Sequence, residues 1–69
     1  MEKDWVKINT YTNAVECEIV RLMLEEQGIP AVALNKQDSS YLFGKIELYV
    51  QDIWAVEAKK LITNSAEEA

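Results

Sequence analysis

The chain has 69 residues, twelve Asp and Glu against seven Lys and Arg, a net charge of -5, one cysteine and no histidine. At 49% apolar and 28% charged residues it is too apolar for intrinsic disorder, and it reads as one small domain over residues 1–69, with its core about 4–62. With no histidine and Cys17 alone, a His-ligated zinc, a Cys–His nucleophile, a Ser–His–Asp triad and a disulfide within the chain are excluded.

The alternation of Asp4 to Asn9 predicts a half-buried strand, with Val6 and Ile8 on one face and Trp5, Lys7 and Asn9 on the other. Thr10 to Asn13 is polar, and Asn13 with Glu16 fits a capping box in which Asn replaces the usual Ser or Thr. Thr12 is the competing cap. A helix then runs from Ala14, with Glu18, Arg21 and Glu25 on one side. Val15, Cys17, Ile19, Val20, Leu22, Met23 and Leu24 fill an arc wider than the usual ~100° stripe, which predicts more than one contact face. Gly28 stands where a left-handed cap ends the helix, and Pro30 follows two residues on.

Ala31 to Asn35 is a short strand, read with Val32 and Leu34 toward the helices and Ala31 and Ala33 away. Lys36 to Gly44 is a loop. Lys45 to Gln51 is the clearest strand, with Ile46, Leu48 and Val50 alternating strictly with polar positions and Tyr49. Asp52 is the expected cap of a second helix through about Ile62, and 63–69 is a polar tail.

The order strand, helix, strand, strand, helix makes a split β-α-β unit when the third strand lies between the first two. The fold class is α+β, a ferredoxin-like βαββα arrangement. Its three-stranded antiparallel sheet has order 1-3-2, with two helices on one face. The usual fourth strand is missing, so the first strand has an open edge, and the second sheet face, with Trp5 and Tyr49, is uncovered. That face is either solvated or a docking surface.

Size and charge bear on partners. A domain this small rarely gains more than ~3–5 kcal/mol from its own core and usually adds a disulfide, a metal or a partner subunit. With the first two short of ligands, a homodimer is expected. Lys3, Lys7, Arg21, Lys36, Lys45, Lys59 and Lys60 are dispersed, which argues against nucleic acid. An RNA-recognition sheet would need more than Tyr49, flanked by Glu47, on its central strand. No apolar run approaches a membrane span, and no apolar segment follows Met1-Glu2-Lys3-Asp4, so a cytoplasmic home is expected.

No glycine-rich phosphate loop is present, Gly28 and Gly44 being the only glycines. Glu16 with Glu18, and Glu25 with Glu26, diverge on a helix and do not form acid–base pairs. Cys17, inside the apolar arc, reads as a buried structural thiol. No catalytic residue, cofactor or metal site is expected. The candidate interaction surface is Trp5 and Tyr49 on the sheet, with Lys36, Tyr41 and Phe43 in a loop longer than a hairpin needs.

The run Leu24-Glu25-Glu26-Gln27-Gly28-Ile29-Pro30-Ala31 resembles the helix-end and strand-start signature of a small bacterial family of unknown function, described as putative prokaryotic signal-transducing proteins. Trp5-Val6, Ala14, Ile19, Gly44, Ile46-x-Leu48-x-Val50, Asp52, Ala58 and Leu61-Ile62 agree with it, from about Trp5 to Ile62. The family is similar in fold to PII-like nitrogen regulators, which are ferredoxin-like and oligomeric. The resemblance implies a regulatory or partner-binding role without catalytic residues. PII-like regulators bind nucleotides through basic loops, whereas Lys36 to Gly44 offers one lysine. The expected function is thus a small non-catalytic signalling or interaction module. The alternative is a nucleotide or metabolite sensor with its site between this loop and the end of the third strand.

Overall fold

The computed structural model describes residues 4–35 and 45–68, the last four as backbone only. Three strands, β1 (Trp5–Tyr11), β2 (Ala31–Asn35) and β3 (Ile46–Gln51), form an antiparallel sheet of order β1-β3-β2. Helix α1 spans Ala14–Glu26 and α2 spans Ala55–Glu68. Cys17 and Leu24 of α1 and Ala58 of α2 share one core with Ile46, Leu48 and Val50, so both helices cover the same face of the sheet. This is the expected ferredoxin-like arrangement.

Local chemistry sets the ends of α1. The side chain of Asn13 accepts from the backbone N–H of Val15 at 2.8 Å and of Glu16 at 3.2 Å, satisfying two amides that the helix cannot. At the other end Gly28 has φ +84. Its N–H donates to the Glu25 carbonyl at 3.0 Å, and the Ile29 N–H donates to the Leu24 carbonyl at 2.9 Å. These are the two bonds of a Schellman cap. Leu24 and Ile29, the pair such a cap brings together, are both fully buried. The chain therefore leaves the helix already anchored in the core and enters β2 at once.

Four expectations need correction. First, β1 continues to Tyr11, which is buried in the core. The register shifts between Lys7 and Asn9, so Asn9 lies opposite Leu48 on the helix side, not beside Trp5 and Lys7. Such a bulge reverses the phase of the strand beyond it. Asn9 then donates to the Tyr11 hydroxyl at 3.0 Å, which supplies both polar groups with a partner.

Second, β2 presents the opposite faces to those expected. Ala31 pairs with Val50 and Ala33 with Leu48, while Val32 pairs with Tyr49 and Leu34 with Glu47. The alanines therefore lie on the helix side, where Ala31 is buried. A small residue there leaves room for α1 to approach. Val32, 40% exposed, is on the uncovered face.

Third, Asp52 does not cap the second helix by its side chain. Asp52–Trp54 is a 3-10 turn without a side-chain cap, and the Asp52 N–H donates to the Asp4 carbonyl at 2.7 Å, tying the end of β3 to the start of β1. Fourth, α2 runs past Ile62 through the segment expected to be a polar tail.

Candidate functional site

The register collects one set of side chains on the sheet face away from the helices. Trp5 pairs with Gln51 and Lys7 with Tyr49 in one direction, and Val32 with Tyr49 and Leu34 with Glu47 in the other. Trp5 and Tyr49, both expected there, share the face with Val32 and Leu34, which the sequence pattern places toward the helices. Lys36, Tyr41 and Phe43, and with them the proposed sensor loop, lie outside the described residues.

Lys7, Glu47 and Tyr49 on this face are mutually engaged. The Tyr49 hydroxyl donates to Glu47 Oε1 at 2.8 Å, and Lys7 Nζ reaches Glu47 Oε2 at 3.4 Å. Glu47 is well shielded, its side chain only 16% exposed. The bond to Glu47 holds the Tyr49 phenol above its ordinary pKa, because ionising it would set two negative charges together. One cation, Lys7, and one anion, Glu47, leave this patch nearly neutral, with four large apolar or aromatic side chains around them.

At one end of the face Trp5 borders an open hollow of about 390 Å³, whose other wall is the α1–β2 turn, Gly28 to Val32, with Glu25. The Schellman turn thus does two jobs: it ends α1 and sets Pro30 and Val32 across from the indole. Trp5 is half-buried.

A second exposed apolar set lies elsewhere. Val15, Ile19 and Leu22 of α1, Ile53 of the 3-10 turn and Val56 at the start of α2 are exposed. The sequence had signalled the α1 set through its over-wide apolar arc. Among the described residues no group of three or more His, Cys, Asp or Glu could hold a metal ion. No helix among them is long and apolar enough to cross a membrane. Cys17 is buried, and burial pushes its thiol pKa up, which makes a poor nucleophile.

No curated protein and no solved structure matches the chain significantly. Residues 5–66 match the family described as "Putative prokaryotic signal transducing protein", and the chain belongs to that family.

Proposed function

We propose that the chain acts without catalysis, as a signalling module that self-associates through its uncovered sheet face. The observation that carries this reading is the clustering of Trp5, Val32, Leu34 and Tyr49 around a nearly neutral Lys7–Glu47 pair. Trp and Tyr are the side chains that dominate binding energy at interfaces. A face with one charge of each sign meets its own copy without net repulsion, although the whole chain carries -5. Two such faces stack as sheets do, about 10 Å apart.

The β1 edge is the weaker surface for the same purpose. Its irregularity between Lys7 and Asn9 breaks the even row of donors and acceptors that strand pairing needs. A PII-like role as a nucleotide or metabolite sensor is the competing reading.

Thermal unfolding separates the two. A self-associating module melts higher as its concentration rises, and Trp5→Ala abolishes that rise while far-UV circular dichroism is kept. A sensor would instead gain about 2.7 kcal/mol from a nucleotide or metabolite at a hundredfold excess over Kd, at any protein concentration. A melting point that ignores both concentration and Trp5→Ala contradicts the proposal.

A further inference from the structure

The outward face of α1 is apolar where a solvent-facing helix surface is ordinarily polar. Val15, Ile19 and Leu22, spaced i, i+4, i+7, are 67%, 63% and 49% exposed. Cys17 and Leu24, on the opposite side of the helix, are buried. Three anchors at this spacing are how a helix seats itself in an apolar groove of another protein.

The charges around the stripe say what kind of groove. Helix α1 carries four glutamates, Glu16, Glu18, Glu25 and Glu26, against one arginine. Arg21 is engaged by both Glu18 and Glu25. Glu16 and Glu26 make no ion pair among the described residues. Glu26 continues the stripe one turn beyond Leu22. It also sits at the C-terminal end of the helix, which has no basic residue in its last turn. Negative charge is unfavourable there, next to the exposed carbonyls. The helix thus holds a carboxylate at a position that costs it stability and that a cation from outside would relieve.

We infer that the outer stripe of α1 docks a partner protein of a different kind, one presenting an apolar groove rimmed by Lys or Arg. A second copy does not suit this surface, because two apposed α1 helices would bring four glutamates and a single arginine from each side together. The inference shares with the proposed function only the reading of the chain as an interaction module. It uses a different face, so the two fail separately.

The test is titration of the full chain with an amphipathic helical peptide of leucine and lysine, against a leucine–glutamate peptide of the same pattern, followed by amide chemical shifts and binding affinity. The basic peptide is expected to shift residues of the Val15–Glu26 stripe and to bind more weakly as salt rises, and the acidic peptide is expected to shift none of them. Ile19→Gln lowers affinity about tenfold and leaves the sedimentation of the chain unchanged. Glu26→Gln lowers affinity about threefold yet raises the melting temperature, opposite signs that a purely structural carboxylate would not give. Shifts on the sheet face or spread evenly over the acidic surface, equal binding of both peptides, or self-association lost on Ile19→Gln and strengthened by salt would each overturn the inference.

Discussion

Gly28 shows how much one residue can fix. Nothing lies within 4 Å of the place where a Cβ would stand, so a side chain there meets no neighbour, and its cost comes only from φ +84. Gly28→Ala should destabilise by about 1 kcal/mol. In a domain of this size that lowers the melting temperature by roughly 4–8 °C, and an unchanged melt would refute the cap. Cys17 and Tyr11 make a second case. Burial raises the pKa of both, although the bond from Asn9 partly offsets the shift at Tyr11. Each group therefore keeps its proton longer in the folded chain than in the unfolded one. The stability they contribute is full below the unfolded thiol and phenol values, about 8.5 and about 10, and is lost as pH rises through the higher folded values. A melting temperature that falls from about pH 9 upward is expected, with Cys17 inert to a thiol reagent at pH 8 until urea is added. Reaction of the native thiol at the unfolded rate would contradict the burial.

Among the elements, β3 was legible because Ile46, Leu48 and Val50 contrast with the residues between them, and all three are buried. The ends of α1 were legible for the same reason: Asn13 and Gly28 are chemically unlike their neighbours and are suited to the caps they form. β2 was not legible. Ala31, Val32, Ala33 and Leu34 are all apolar, so no contrast tells one face from the other, and the phase is set by what α1 needs beneath it. In β1 the alternation held through Ile8 and then inverted, since a bulge inserts a residue without leaving a mark in composition. By sequence Tyr11 therefore reads as part of a polar linker, whereas it belongs to the core. The corrected phase of β2 makes a paired prediction. Ala31→Asp buries a carboxylate against Val50 and should unfold the chain. Val32→Asp, one residue on, should leave circular dichroism native and disperse the proposed dimer. The reverse outcome would restore the sequence-based phase.

At the scale of the whole molecule, the three strands and two helices of the described residues build a core whose largest fully buried side chains are Leu24, Ile29, Leu48, Val50 and Cys17. Losing one of them is serious: Leu48→Ala removes about 2–5 kcal/mol, comparable to all the stability that a domain of this size commonly has. Among the described residues one sheet face has no layer over it, and we propose that a second copy of the chain completes its burial. The direction of that face was only half visible in the sequence: Trp5 and Tyr49 marked it, but Val32 and Leu34 joined them only through the register. We propose that this face meets its own copy. Sedimentation of the full chain over a hundredfold concentration range, with Val32→Asp alongside, decides it. A concentration-dependent species of twice the 7.9 kDa chain mass is expected, reduced to the single chain by Val32→Asp. A 7.9 kDa monomer throughout, or a dimer that Val32→Asp leaves intact, would contradict it.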